Sequence, residues 1–322
     1  MTPLTPRYSV SLHGGLPPDA HGIRATVRHG GCLPGLPGPA SLAREGVCPR
    51  CKGRTGWVTR RGLWLCAGCR HQLSVTAGTI FHDTRLPLTL WFRAIWWVTS
   101  QKTGASALGL QRVLGLGSYR TAWTWLHKLR RAMIRPGRDS LTGRVEVDET
   151  YLGGAKPGKR GRGAVGKALI VVAAQEDGRG VGRVRMRRIK DASAASLHPF
   201  VLEAIAPGTI VHTDGWEGYT GLEKQGYRRE VTVRKRAASE LMPRVHRVVA
   251  LLKRWLLGTH QGAVSHAHLD YYLDEFTFRF NRRTSRSRGK LFYRLVQQAA
   301  AVEPVPYTAM LKYTRGRKPR HH

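Results

Sequence analysis

The sequence has few acidic side chains and no long apolar run. Its 322 residues include 54 Lys+Arg against only 20 Asp+Glu, which gives a formal net charge of +34 at pH 7. The longest apolar stretches, Ala168–Ala174 and Leu90–Val98, are far shorter than the roughly 20 residues of a membrane-spanning helix, and the N-terminus lacks a charged-then-apolar signal pattern. These absences argue against a membrane protein and predict an intracellular chain. The excess of positive charge attracts polyanions and predicts nucleic acid as the partner.

Cysteine is also scarce, with five residues in the chain. Four of them form two C-x-x-C pairs that are fourteen residues apart, the pattern of a closed four-thiolate zinc site in a reducing compartment. The sequence therefore predicts a zinc ribbon over residues 45–80, with a structural Zn²⁺ held by Cys48, Cys51, Cys66 and Cys69. Cys32 has no partner at ligand spacing and is expected to be a free thiol without a role.

The two ends of the chain show no sustained periodicity. Residues 1–44 are rich in Gly and Pro, which predicts a disordered lead-in. Residues 301–322 end in a basic stretch, which predicts a flexible tail that contacts DNA.

From Leu86 onward the apolar residues recur with a helical period. An apolar stripe up to Gln101 is followed by a short helix that ends at Gly115, and Ser118 then caps a third, basic helix over Tyr119–Met133. This order is typical of a helix-turn-helix, which we place at residues 81–138, with the third helix in the major groove. Its expected DNA contacts are Arg120, Lys128, Arg130 and Arg131. A plain three-helix packing unit is the alternative.

After Asp139 the period changes from helix to strand. Three successive strands are predicted, then a helix over Ser193–Ala206 and a further strand over Ile210–Asp214, the order expected of an RNase-H-like α/β domain. The Gly/Lys/Arg loop between the first two strands is too polar to pack. It is expected to contact phosphates through Lys156, Lys159, Arg160 and Arg162.

Two of these strands each carry an aspartate. In the first strand, VEVDET, Glu146 and Asp148 share one face, and the strand IVHT leads into Asp214. The two carboxylates could lie side by side, and such a pair suits divalent cations. Ordinary strand-end or turn aspartates are the alternative, because Asp214–Gly215 is also a turn signal.

Several motifs in order resemble one known family. VEVDETYLGG, VHTDGWEGY, LLKRWLLGTH and LDEFTFRFNRR, together with the zinc pattern, resemble bacterial insertion-sequence transposases that have an N-terminal zinc ribbon and a DDE-type catalytic domain. The resemblance runs from about Cys48 to about Ala300. It implies a multidomain α/β fold in which the zinc ribbon and helix-turn-helix precede an RNase-H-like mixed-sheet catalytic domain at residues 142–300.

The resemblance also implies an activity. Such an enzyme binds the terminal inverted repeats of its element and a target DNA, and it cuts and joins strands with two Mg²⁺ or Mn²⁺ ions. It works as an oligomer, at least a dimer, because two DNA ends must be brought together. We accordingly expect a cytoplasmic, nucleoid-associated protein.

The family implies Asp148 and Asp214 as the first two metal ligands, but the third position departs from its pattern. The usual ligand is a Glu on a helix, with a Lys or Arg seven residues later. Here His246 precedes Lys253 by seven residues, which places both on one face of a helix. Some branches of this group similarly carry Asn or His. We therefore predict an Asp-Asp-His-Lys site, with Lys253 and Arg254 on DNA phosphates and an imidazole that favours Mn²⁺.

Other interpretations of these residues stay open. His246 could be a base, a phosphate contact or a surface residue of an inactive, transposase-derived DNA-binding regulator, and a divalent-ion nuclease without strand transfer is a third possibility. Asp270 and Asp274 are alternates for the missing carboxylate, although ion pairing with nearby arginines is the preferred interpretation. Glu149 is assigned no ligand role.

Overall fold

The computed structural model describes residues 47–74, 76–135, 137–153, 167–232, 242–262 and 264–312. The predicted lead-in, the basic loop and the end of the tail lie outside these residues. No helix in these ranges is long and apolar enough to cross a membrane.

A small antiparallel sheet of order β1-β2-β3 begins the described chain. Its strands are β1 (Gly56–Val58), β2 (Leu63–Cys66) and β3 (Gln72–Ser74). Its buried cluster consists of Cys48, Trp64 and Cys66. Since so small an apolar core cannot stabilise a module of this size, the fold depends on another constraint.

Three helices follow: α1 (Leu88–Ser100), α2 (Ala107–Leu114) and α3 (Tyr119–Ala132). Gly115 ends α2 in the left-handed conformation, with φ 63°. The Ser118 hydroxyl oxygen then accepts a hydrogen bond from the Thr121 amide at 3.3 Å and caps α3. The predicted glycine turn and serine cap are confirmed.

A five-stranded mixed sheet forms the second half of the chain. Its elements in chain order are β4 (Arg144–Leu152), β5 (Ala168–Asp177), β6 (Gly180–Ile189), α4 (Ala194–Ala204), β7 (Ile210–Thr213) and β8 (Arg228–Val231). The strand order is β6-β5-β4-β7-β8, in which β4, β5 and β6 are antiparallel, and β7 and β8 run parallel to β4. This arrangement confirms the predicted RNase-H-like sheet and adds β8, which the sequence did not indicate.

The described residues after the sheet form α5 (Pro243–His260), α6 (Leu269–Phe280), α7 (Arg288–Ala301) and α8 (Tyr307–Lys312). Successive side chains of β4 point to opposite faces of the sheet, and each face packs against a different apolar core. Val145 and Val147 face the core that contains α4, whereas Leu152 faces the core that contains α5 and α6. The face that carries Glu146 and Asp148 therefore lies under α5.

The helical half has a core of its own, and α7 belongs to it. Leu295, Val296 and Ala299 of α7 pack with α1 and α3, together with Phe278 of α6. The last part of the segment assigned to the catalytic domain, residues 142–300, thus completes the helical core. The sequence pattern did not indicate this packing, because α7 contributes its apolar side chains to a cluster that lies more than 150 residues earlier in the chain.

The structure also corrects the exposed face predicted for α3. Arg130 is 2% exposed, its guanidinium forms an ion pair with Glu275 of α6 at 2.8 Å, and it lies over the Tyr272 ring at 4.1 Å. The prediction that Arg130 faces DNA is therefore wrong. Helix α3 is buried on two sides, against α1 and against α6. Its apolar stripe marks only one of these two sides, so the exposed face could not be deduced from the stripe.

Candidate active site and metal centre

Asp148 and Asp214 are brought to the same edge of the sheet by the parallel pairing of β4 and β7. Glu146 pairs with His212 in this register. Continuing this register by two residues along each strand direction brings Asp148 and Asp214 opposite each other. The Asp148 carboxylate accepts a hydrogen bond from the Glu149 amide at 2.8 Å, and that of Asp214 accepts one from the Trp216 amide at 3.0 Å. Backbone amides thus orient both carboxylates.

Burial and neighbouring charges determine the pKa of Asp148. Burial raises the pKa of Asp148, and the negative charge of Asp214 raises it further, against the lowering effects of the Glu149 amide and His246. Two carboxylates that share a poorly solvated site repel each other. A divalent cation between them relieves this repulsion and is the hard partner that oxygen ligands favour.

His246 lies beside this pair, on the first turns of α5. Its Nε2 is 3.4 Å from Oδ2 of Asp148, and its side chain is 43% exposed. The sequence separated these two residues by almost a hundred positions, and the fold brings them into contact. Whether the imidazole binds metal stays a prediction.

Lys253 lies further along the exposed side of α5. Both it and His246 are exposed, and seven residues at 1.5 Å per residue separate them by about 10 Å along the helix axis. Arg254, the next residue, is exposed as well. The exposed surface of α5 therefore has positively charged side chains on the turns beyond the carboxylate pair.

The alternative acids have other partners. Asp270 accepts the Arg188 amide at 3.4 Å and pairs with the Arg188 guanidinium at 3.9 Å, which confirms the ion-pair interpretation for this residue. Asp274 is half-buried on α6. Glu149 belongs to the opposite face of the sheet, beside the fully buried Tyr219. Burial and the charge of Glu149 raise the pKa of the Tyr219 hydroxyl well above its ordinary value.

One buried acid on the active-site face had no predicted role. Glu146 is 1% exposed, and its carboxylate contacts the start of α5. The strand alternation indicated its face, but nothing in the sequence indicated its partner.

The remaining predicted DNA contacts differ in exposure. Arg120 is exposed at the start of α3, with its guanidinium 3.9 Å from the Tyr307 ring centroid. Lys128 is half-buried, and burial lowers its pKa, while its Nζ lies 6.0 Å from the Trp91 ring centroid. Arg131 is half-buried as well. Lys156, Lys159, Arg160 and Arg162 lie outside the described residues.

A groove of about 1310 Å³ is lined in part by residues that follow the two aspartates in the sequence. Tyr151 and Trp216, which closely follow Asp148 and Asp214, contribute to its wall. Its basic lining residues are Lys167, Arg188, Lys190 and His266. Of its acids, Asp191 is engaged at the start of α4, where it accepts hydrogen bonds from Ser193 and Ser196. The groove offers aromatic and basic side chains to a polyanion.

The four predicted zinc ligands converge in the small N-terminal sheet. Their sulfur atoms all lie within 4.8 Å of one another, with 3.5 Å between Cys48 and Cys69 and 3.5 Å between Cys51 and Cys66. A tetrahedral Zn²⁺ with Zn–S bonds of about 2.3 Å separates its sulfurs by roughly 3.8 Å. The cluster therefore fits zinc. Among the described residues, this is the group of potential ligands that converges this closely.

The sequence is similar to a known domain family and to a protein of a transposable element. Residues 140–281 match the profile of the ISXO2-like transposase domain. A Halobacterium salinarum protein, described as an uncharacterized protein in transposable element ISH50, is 27% identical over 283 residues, which cover 80% of this chain and 92% of the relative.

Solved structures are similar only at a low level. The simian T-cell lymphotropic virus intasome in complex with PP2A regulatory subunit B56 gamma gives a TM-score of 0.31 at 13% identity, covering 59% of this chain and 71% of that one. The Mos1 strand transfer complex gives 0.25 at 13% identity, covering 71% and 79%. TM-scores of this size do not establish a shared fold.

Proposed function

Because residues 140–281 match the ISXO2-like transposase domain, we propose that this chain is the transposase of an insertion sequence. It binds the terminal inverted repeats of its element and catalyses divalent-metal-dependent strand cleavage and strand transfer. The observation that carries the proposal is the contact of His246 with Asp148, at the edge of the sheet where Asp214 comes opposite.

The chemistry of the donor set, two carboxylates and an imidazole, suits divalent metal ions. Asp148, Asp214 and His246 would hold two Mg²⁺ or Mn²⁺ ions, which supply Lewis-acid activation of water or a DNA 3′-hydroxyl and stabilise the leaving oxygen. The chain itself orients both carboxylates through backbone amides. Lys253 and Arg254, on the exposed side of α5, would bind phosphates of the DNA that lies across the site.

DNA would be held by several basic surfaces. Arg120 lies at the exposed start of α3, the end of a recognition helix that contacts base edges in a helix-turn-helix. The groove beside Tyr151 and Trp216 would take phosphates and unstacked bases near the cleaved strand. Because an element has two ends, we propose that the protein acts as at least a dimer on DNA.

A labelled duplex that carries one element end and its flanking DNA tests this function. The wild-type chain is expected to cut at the element boundary with Mg²⁺ or Mn²⁺, and not with EDTA. Sequence-specific binding without cutting in either metal would instead favour the inactive regulator. Cutting without joining to a target DNA would favour a divalent-ion nuclease.

We further propose that the thiol cluster binds one structural zinc ion. Cys48→Ser is expected to reduce the zinc content from about one ion per chain to near zero, because a structural site needs all four thiolates. The zinc content is measured by mass spectrometry of the purified protein. Cys32→Ser is the matched control and should leave zinc unchanged. Equal zinc in Cys48→Ser and wild type would contradict the assignment.

A further inference from the structure

Helix α5 carries the histidine of the site but has no cap of its own. Met242, at its N-cap position, makes no capping hydrogen bond through its side chain, and the first turn has no acidic residue. Pro243, the first helical residue, has no amide hydrogen to satisfy. The amides of Arg244 and Val245 are the next two, and a helix start that leaves such groups buried without partners is unstable.

Glu146 of β4 supplies the missing cap. One of its carboxylate oxygens, Oε2, accepts the Arg244 amide at 2.8 Å and the Val245 amide at 2.9 Å. The following amide, of His246, donates to the Met242 carbonyl at 3.1 Å. The amide groups of the first turn are thus all accounted for, and two of them depend on one carboxylate from another element.

The Arg244 side chain fastens the same turn to the sheet. Its Nη1 donates to Oε1 of Glu146 at 3.0 Å, and its Nη2 pairs with Glu176 of β5. The same guanidinium donates to the carbonyls of Gly178 and Gly180, in the turn between β5 and β6, at 3.0 and 3.1 Å. With Glu146 1% exposed, these charge-assisted bonds are shielded from water and are correspondingly strong.

The contacts of Glu146 and Arg244 at the start of α5, here called the clamp, lie next to His246 and Asp148. Glu146 and Asp148 are two residues apart on one face of β4, and Val245 and His246 are consecutive on α5. Fixing the Val245 amide on Glu146 therefore fixes His246 over Asp148, where Nε2 and Oδ2 are 3.4 Å apart. A slip of the helix start by one residue would rotate the imidazole by about 100° away from the carboxylate.

We propose that Glu146 is a positioning residue that holds the N-terminus of α5 against β4 and so places His246 at the active site. It does not bind metal itself, since its oxygens are occupied by α5 and Arg244. Its kinetic consequence rests on the proposed cleavage activity, whereas its structural consequence does not.

The test compares Glu146→Gln with wild type and with Glu176→Gln. The control makes the same substitution in a carboxylate that also pairs with Arg244 but accepts no α5 amide. In Glu146→Gln, hydrogen exchange at the first turn of α5 is expected to accelerate about tenfold or more, with β5 still protected. The kcat of strand cleavage should fall roughly tenfold to a hundredfold, and the Kd for DNA should stay within about twofold. Glu176→Gln removes one contact of the Arg244 guanidinium and no contact to an α5 amide, so it should change exchange and kcat by no more than about threefold, clearly less than Glu146→Gln does.

Two results would overturn the proposal. One is wild-type exchange at the first turn of α5 in Glu146→Gln. The other is accelerated exchange with an unchanged kcat. If the wild-type chain cuts no DNA, the proposed function fails, and the exchange rates alone then decide whether Glu146 holds α5.

Discussion

Asparagine in place of Asp148 is expected to reduce strand cleavage by about a thousandfold or more. The side chain is 21% exposed and interacts with the charges of Asp214 and His246, so its own charge is poorly screened by water. The asparagine side chain keeps the shape of the aspartate and can still accept the hydrogen bond from the Glu149 amide. Its neutral amide is, however, a weak ligand for a hard cation. The measurement is the rate of single-strand cutting at saturating protein, with DNA affinity followed in parallel. Binding should be unchanged or slightly tighter, because a negative charge is removed.

Asp270→Asn is the matched control for this substitution. Its carboxylate already pairs with Arg188, so the variant should cut within a few-fold of wild type. A large loss in Asp270→Asn together with activity in His246→Ala would assign the third ligand to Asp270. Cleavage by Asp148→Asn within tenfold of wild type would contradict the assigned site.

Glutamine in place of Glu275 is expected to lower the free energy of unfolding by about 3–5 kcal/mol. Glu275 is fully buried, and it pairs with Arg130 of α3 and with Arg279 of its own helix, both at 2.8 Å. Burial alone raises the pKa of Glu275, but these two positive charges outweigh it and hold the pKa at about 2. The substitution leaves Arg130 buried without a countercharge, and a loss of this size is a large part of the stability of an ordinary domain.

The same substitution would also loosen the contact between the helical half and the sheet half. Arg279 donates to the carbonyls of Val98 and Gln101 at the end of α1, each at 2.8 Å. Urea unfolding gives the free energy, and Glu203→Gln is the control. Glu203 is 58% exposed and pairs with Arg138 and Arg187 at the surface, so its loss should cost less than about 1 kcal/mol. Equal midpoints for the two variants would contradict the buried-network interpretation.

Local patterns predicted the parts of the site that depend on local geometry. The two C-x-x-C pairs predicted a thiol cluster because a hairpin brings such pairs together, and the alternation in VEVDET placed Asp148 on the face opposite Val147. The spacing of His246 and Lys253 predicted a shared helix face, and both side chains are exposed on α5.

Contacts between distant elements could not be predicted in this way. Glu146 caps a helix that begins 97 positions later, and a buried glutamate in a strand has the same sequence pattern as a solvated one. Arg130 was assigned to an exposed face because the apolar stripe of α3 defines only one buried side. The second buried side exists because α6 packs there, which is a property of the tertiary fold.

Iron-directed cleavage of the polypeptide tests the central claim most directly, namely that Asp148, Asp214 and His246 bind divalent ions. Fe²⁺ can replace Mg²⁺ or Mn²⁺ at such donors, and with ascorbate and peroxide it cuts the backbone next to its binding site. The fragments are sized by mass spectrometry of zinc-loaded protein. We expect cuts adjoining residues 148, 214 and 246 that excess Mn²⁺ suppresses and Asp148→Asn abolishes. Cuts confined to the cysteine cluster, or cuts elsewhere that Mn²⁺ does not suppress, would contradict this claim.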